Sequence, residues 1–365
     1  MEIEINMINV EDGDAIILTL KDNDRKALIL IDGGYKTYYP KVKKRIEELL
    51  PGFNTKIDLL ICTHYDNDHI GGVENILDDY HSIIQEIWMH KIEASISEEI
   101  SFLTDKVNHL GSSLLLEDDK IIKSVEGYSN NLVLEGYRDL LRVVEKIKKY
   151  GLEQKVVQAM AGTKFKKFPE FSVVSPTLLY YNQNLPSLKK ESLLEDLRSN
   201  IKNKSTNFPR LIELYMEGKE DIGEPQDYCE LLEKSSLSNN VTATNMVSIV
   251  TLLEANEKKF LFTGDAGIES FELHTPQWTT NLKDLFFLDV PHHGSKNNTS
   301  KKMLDVFNPK YAFVSAKGAT NRPSKFIEKC MQSKRRLETF ETTNSIDNTW
   351  YLRINQDGFC ERKMM

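Results

Sequence analysis

The chain has 365 residues, 40% apolar and 28% charged, with a mean hydropathy of −0.42. It can therefore bury a sizeable core, and its apolar runs stay strand-sized, short of the ~20 residues of a membrane span. The formal net charge is −8 (47 basic and 55 acidic side chains), so the surface as a whole lacks a nucleic-acid-binding signature; a locally basic cleft or bound divalent ions would escape that count.

The acidic opening, MEIEINMINVEDGDA, lacks the basic residues and long apolar run of a signal peptide, so a cytoplasmic protein with no membrane association is expected. Cys62, Cys229, Cys330 and Cys360 show no CxxC spacing. They are expected to be free, mostly buried thiols, with neither a disulfide framework nor a structural zinc knuckle.

In chain order, MEIEINMINV alternates, AIILTL and KALILIDGG are strand-like, and YPKVKKRIEELLPG is an amphipathic helix stopped by Pro51 and Gly52. KIDLLICTH is a continuous apolar run that ends in THYDNDHIGG. Strand, helix, strand and motif predict a layered α/β domain with its site at strand ends. VENILDDYHSI follows as helix and IQEIWMH as strand. Residues 92–168 are charged and helical in character, with YRDLLRVVEKIKKYG the clearest amphipathic segment; FSVVSPT returns to strand, and residues 178–240 are again charged and helical. Both stretches are expected as insertions on one domain spanning residues 1–365, whose core resumes in NMVSIVTLLEA, KKFLFTGDAG, DLFFLDVPHHGS, KYAFVSAKG and TWYLRIN.

The chemistry concentrates at three strand ends. In THYDNDHIGG, His64 and Asp66 point the same way on an extended chain, Asp68 and His69 come from the turn, and Gly71 and Gly72 let the backbone bend into the next helix. Imidazole with carboxylate suits Zn²⁺, Mn²⁺ or iron; the bland alternative is a polar turn with a helix N-cap. Asp265 closes KKFLFTGDAG, where a turn Asp bonding its own backbone is the alternative. His292 and His293 close DLFFLDVPHHGS, one of them a ligand and the other a candidate orienter of ligands.

With those motifs in place, the chain resembles metallo-β-lactamase-fold hydrolases, and within them the soluble hydrolase domain of ComEC-type competence proteins. EDGDAIIL (Gly13, Asp14, Ala15), LIDGG (Asp32, Gly33, Gly34), THYDNDHIGG, NMVSIV (Asn245, Ser248), FLFTGDAG, VPHHGSKNNTS and NPKYAFVSAKG occur in family order over the first 90 and last 135 residues or so. The resemblance implies an αββα sandwich with its metal site at one edge of two packed sheets. It implies one or two divalent ions held by His64, Asp66, Asp68, His69, Asp265 and one of His292 and His293, with Asp14, Asp32, Ser175 and Asn245 in supporting positions. Asp66 stands where most of the family has His, a hard oxygen donor that favours Mn²⁺ over Zn²⁺. The usual intermediate histidine ligand has no counterpart, Ser175 in FSVVSPT being the nearest polar candidate. Arg322, in NRPS, replaces the histidine of a Gly-His-Pro-Ser.

The function expected is a metal-dependent phosphodiesterase or nuclease acting on DNA. Asp68 would orient or deprotonate the attacking water, and Ser248, Ser295, Lys296, Asn297 and Arg322 would contact substrate phosphate. A regulatory protein partner could bind the helical insertions; Tyr128, Tyr137, Tyr150, Phe165 and Phe168 could stack on bases, although aromatic residues in such segments more often form helix core. The alternatives are a small-molecule hydrolase (cyclic nucleotide, ester or lactone) on the same fold, and a non-catalytic scaffold with a structural metal.

Overall fold

The computed structural model describes residues 1–91, 140–184, 227–235, 241–316, 322–343, 349–355 and 360–364. Its strands are β1 (Glu2–Met7), β2 (Ile16–Asp22), β3 (Arg25–Ile31), β4 (Leu59–Ile61), β5 (Ile87–Met89), β6 (Val156–Gln158), β7 (Lys164–Phe165), β8 (Phe168–Ser175), β9 (Val250–Ala255), β10 (Lys258–Phe262), β11 (Phe287–Asp289), β12 (Tyr311–Val314), β13 (Thr339–Thr342), β14 (Trp350–Ile354) and β15 (Cys360–Met364). They form two sheets, in the orders β15-β14-β1-β2-β3-β4-β5-β6 and β13-β12-β11-β10-β9-β8-β7.

The apolar runs read so continuously because both faces of each sheet are covered. Along β3, Ala27, Ile29 and Ile31 enter the layer between the sheets, while Leu28 and Leu30 pack outward against helices Tyr39–Leu49 and Val73–Tyr80. Along β12, Tyr311 and Phe313 face inward; Ala312 and Val314 meet helices Lys301–Phe307 and Lys325–Gln332. Period-two alternation thus feeds two different apolar layers. The result is the αββα sandwich anticipated from the sequence, with an inter-sheet core rich in aromatics such as Trp88, Phe171, Phe260, Phe262, Phe287 and Phe313.

Two expectations need correction, and the aromatic residues are placed between them. The chain re-enters the sheets at residue 156, because β6 pairs in parallel with β5 and β7 pairs with β8; in the first proposed insertion, helix among the described residues is confined to 140–149 and the short turn Glu153–Lys155. Residues 92–139, 185–226 and 236–240 lie outside the described residues. Phe165 and Phe168 are core residues packed with Trp88 and Phe171, and one face of the Tyr150 ring stacks on His81 at 3.9 Å; Tyr128 and Tyr137 lie outside the described residues. Finally, Cys229 and Cys330 are disulfide-bonded, 101 residues apart in sequence with Cα atoms 4.8 Å apart. Spacing could not reveal a pair made by the packing of helix Tyr228–Ser235 on helix Lys325–Gln332. Cys62 and Cys360 are free.

Candidate metal centre

Parallel pairing of β3 with β4 and of β10, β11 and β12 with one another sends the carboxyl ends of these strands to one edge of the sandwich. Beyond β4 the chain leaves the sheet through Thr63, whose N–H and Oγ1 both donate to Asp32, at 2.8 and 2.5 Å. Asp66 then occupies the N-cap position of helix Asn67–Ile70, but its side chain caps nothing. Its carboxylate lies instead 4.0 Å from His64 Nε2 and accepts from Thr244 Oγ1 at 3.2 Å. The polar-turn explanation of the motif therefore fails at the residue that should have carried it.

Beyond β10, Asp265 turns its carboxylate toward histidines rather than toward its own turn. Beyond β11, Pro291 starts a turn in which His292 (φ 50°, ψ 50°) and His293 (φ 56°, ψ 26°) are both left-handed, followed by Gly294 at φ 80°. Two successive left-handed non-glycine residues cost of order 1–3 kcal/mol each and persist where the surroundings dictate them. Here His292 N–H donates to Gly264 O at 3.1 Å, so the turn is pinned to the Asp265 loop.

Each imidazole is held through Nδ1. His69 Nδ1 meets Asp32 Oδ2 at 2.8 Å, His293 Nδ1 the Ser315 carbonyl at 2.9 Å, His292 Nδ1 Asn298 Oδ1 at 2.7 Å, and His64 Nδ1 Thr63 Oγ1 at 3.0 Å. These partners can accept, since Thr63 spends its hydroxyl proton on Asp32 and Asn298 spends its amide on Asp265 O. With Nδ1 protonated, all four Nε2 atoms present lone pairs to one buried volume. There, Asp265 Oδ1 lies 3.1 Å from His69 Nε2 and 3.6 Å from His293 Nε2. Asp265 Oδ2 lies 3.3 Å from His292 Nε2 and 3.7 Å from His64 Nε2. Asp68 Oδ2 is 3.6 Å from His293 Nε2. Donors bound at metal distances of about 2.0–2.1 Å to one tetrahedral ion stand about 3.3 Å apart. Facing lone pairs and carboxylates at that spacing, with His64 Nε2 buried and without a hydrogen-bond partner, fit a divalent cation.

The electrostatics agree. Burial alone would raise Asp265, but His292, His69 and His293 hold it well below the usual carboxylate range. Burial opposes charge on His69 and His293, yet the Asp265 carboxylate and its neighbours lift both above the ordinary imidazole value. Burial, followed by His69, lowers His64; burial, followed by Arg322, takes His292 well below.

Of the supporting residues, Asp32 orients His69, and Asp14 joins His69, Asp265 and His293 in a buried group whose ligand atoms lie within 4.8 Å of one another. Asp14 approaches the tethered Nδ1 side of both histidines, at 3.9 and 3.7 Å, and burial raises its carboxyl to about 6. Asn245 Nδ2 lies 3.4 Å from both Asp265 Oδ2 and His292 Nε2. Ser175 is buried at the end of β8, paired with Val250, and no described contact ties it to the histidines. Ser248, Ser295, Lys296, Asn297 and Arg322 are all buried. Asn297 N–H donates to Ser295 Oγ, and Lys296 lies over the Phe326 ring at 5.5 Å. Arg322 is 3% exposed, and Ser324 N–H donates to Gly294 O at 2.9 Å, seating its loop on the histidine turn. Neither residue type nor spacing singled out Thr63, Asn298 and Ser315 as the groups that hold the imidazoles, although all three stand within the motifs THYDNDHIGG, VPHHGSKNNTS and NPKYAFVSAKG.

Residues 9–104 match the family model described as Metallo-beta-lactamase superfamily; this part of the chain carries a domain of that superfamily, and the two-sheet fold agrees with it. No curated protein matches the chain. Among solved structures it is similar to a metallo-beta-lactamase from Cronobacter sakazakii (Enterobacter sakazakii), a HARLDQ motif mutant. The two are 19% identical over 26% of this chain and 31% of that one, with a TM-score of 0.17. The chain thus spans about a third of that structure, and so slight a likeness carries no argument about chemistry.

Proposed function

We propose that the metallo-β-lactamase superfamily domain of this chain is a metal-dependent hydrolase that cleaves phosphodiesters, with DNA as the first substrate to test. The observation that carries the substrate class is charge. Arg322, buried at 3% exposure, stands on the loop that Ser324 N–H ties to Gly294 O at 2.9 Å, and its charge helps to lower His292, so a guanidinium stands near the histidine turn of the ligand cluster. A neutral ester or lactone has no use for it, whereas a phosphate offers the planar, bidentate partner it prefers. The resemblance to ComEC-type hydrolase domains, through Asp66 above all, supports the same reading, as does the hard oxygen of Asp66 for Mn²⁺.

His64, Asp66, Asp68, His69, Asp265, His292 and His293 would hold the ions, which when bound supply a water acidified to near neutrality and a Lewis acid for the phosphoryl oxygen. Asp32, Ser315, Asn298 and Thr63 keep the imidazoles in one tautomer and orientation. Asp68 would orient the attacking water, and Arg322 would hold a non-bridging phosphate oxygen. The protein loaded with Mn²⁺ or Zn²⁺ is expected to cut single- or double-stranded DNA, and an Asp68→Ala/His69→Ala variant to be inactive. Arg322→Ala should lose roughly 10- to 100-fold in kcat/KM on DNA, the worth of a charged hydrogen bond. Turnover of small esters or lactones with no cleavage of DNA would select the small-molecule reading. Metal content without turnover of either would select the scaffold.

A further inference from the structure

We propose that the Cys229–Cys330 disulfide is a redox-controlled staple, opened by dithiol reductants, that sets how firmly the candidate metal centre holds its cation. The inference rests on the metal-binding part of the function proposed above and on nothing about the substrate.

The bond joins two helices that lead into the centre from different sides. Helix Lys325–Gln332 carries Cys330. Its N-cap residue, Ser324, accepts from Phe326 N–H at 3.3 Å through its hydroxyl and donates its own N–H to Gly294 O at 2.9 Å, so this helix starts against the His292–His293 turn. Helix Tyr228–Ser235 carries Cys229. Residues 236–240, outside the described residues, separate it from the segment that touches the ligands. There Thr244 Oγ1 donates to Asp66 Oδ1 at 3.2 Å, and Asn245 Nδ2 lies 3.4 Å from both Asp265 Oδ2 and His292 Nε2. Without the bond, helix Tyr228–Ser235 has a slender hold. Its eight residues are too few to stay helical alone in water. Among its described side chains Cys229 and Leu232 are buried, with Tyr228 and Leu231 half-buried against the same core. Opening the bond therefore leaves the inter-sheet core intact and loosens this attachment first.

Cys229 is 8% exposed and Cys330 is fully buried, so attack falls on Cys229 Sγ. A thiolate of the dithiol bonds to that sulfur, the bond between the two cysteines breaks, and Cys330 leaves as a thiolate that takes up a proton. The second thiol of the reductant, giving up its proton, then displaces Cys229, which leaves as a thiol. The dithiol is oxidised to a disulfide and the protein gains two thiols. In the reducing compartment expected from the sequence, disulfides are reversible and serve redox sensing.

The test compares oxidised wild-type protein with the same protein reduced by dithiothreitol, the reductant then being removed without oxygen. Thiol titration in denaturant should find Cys62 and Cys360 alone in the oxidised form and all four cysteines in the reduced one. Amide hydrogen exchange at Asn245, Met246 and Ser324 should be faster after reduction, and Mn²⁺ should bind about 5- to 100-fold more weakly. Linkage is reciprocal, so Mn²⁺ should make the bond harder to reduce by the same factor. A Cys229→Ser/Cys330→Ser variant should behave as reduced wild type and ignore the dithiol. A response that persists in that variant would assign the effect to Cys62 or Cys360 and overturn the staple, as would four free thiols in protein treated with oxidant. Unchanged Mn²⁺ affinity on reduction overturns the control while leaving metal binding intact. Failure to bind Mn²⁺ in either state overturns the metal centre itself, and redox control of its grip with it. The wild-type comparison needs no variant to fold.

Discussion

His90 is the clearest case of a buried titratable group whose role is structural. Its Nε2 donates to the Val247 carbonyl at 2.7 Å, and Tyr181 leans on its ring at 4.6 Å. Burial depresses it to about 4 from the ordinary 6.5. Above pH 6.5 the imidazole is neutral in both folded and unfolded chains and costs nothing. Between 6.5 and 4 the unfolded chain takes up a proton that the folded one refuses, so stability falls as pH falls, by roughly 3 kcal/mol across the window. His90→Gln can keep a hydrogen bond to Val247 without titrating. In urea denaturation of metal-free protein, wild type should lose more stability than His90→Gln between pH 7 and pH 4.5. An equal loss in both would show that His90 does not titrate as its burial implies. At this scale the sequence displays ligands better than the groups that aim them. His64, Asp68, His69 and Asp265 advertise themselves by type and crowding, whereas Asn298 and the Ser315 carbonyl act through positions that only the folded chain creates.

Among elements, the decisive contact is between two glycine turns. Gly33 N–H donates to His69 O at 2.8 Å and Gly72 N–H to Gly34 O at 2.7 Å, which locks the loop after β3 against the end of the metal motif. A Cβ on Gly72 would sit 2.1 Å from Gly33 O, and backbone cannot yield as a side-chain tip does. Gly72→Ala should therefore destabilise by about 1–3 kcal/mol, in the range of other overpacked sites. Gly52→Ala, with nothing within 4 Å of the added carbon, should stay within about 0.5 kcal/mol. Equal shifts in thermal midpoint would refute the close-approach argument. The long buried strands and both amphipathic helices of the first half were legible because periodicity and length agree. β6 and β7 were not, being three and two residues long and preceded by a charged helical stretch that sets the character of any wider window. The Cys229–Cys330 bond was illegible for a related reason, since a link between helices meeting across 101 residues leaves no spacing to read.

At the scale of the molecule, the centre is a clasp between the two sheets. His64, Asp66, Asp68 and His69 hang from the carboxyl end of β4 in the first sheet, while Asp265, His292 and His293 hang from β10 and β11 in the second. Without cations, Asp265 draws protons onto His69 and His293 more readily than free imidazole takes them, so protons stand in at that junction where ions would bind. Ions that bind only the assembled site stabilise the fold by mass action, by about 4 kcal/mol for one ion at a thousand times its dissociation constant. Chelation should therefore lower the thermal midpoint of wild-type protein markedly, and returning MnCl₂ should restore it. Asp265→Asn removes the carboxylate that the surrounding histidines hold in its charged form, so it forgoes their attraction and weakens the grip on cations. Its metal-free form should melt below metal-free wild type, and gain much less on adding MnCl₂. If metal raised both midpoints equally, the ions would be binding elsewhere; if it raised neither, the clasp would close through protein contacts alone.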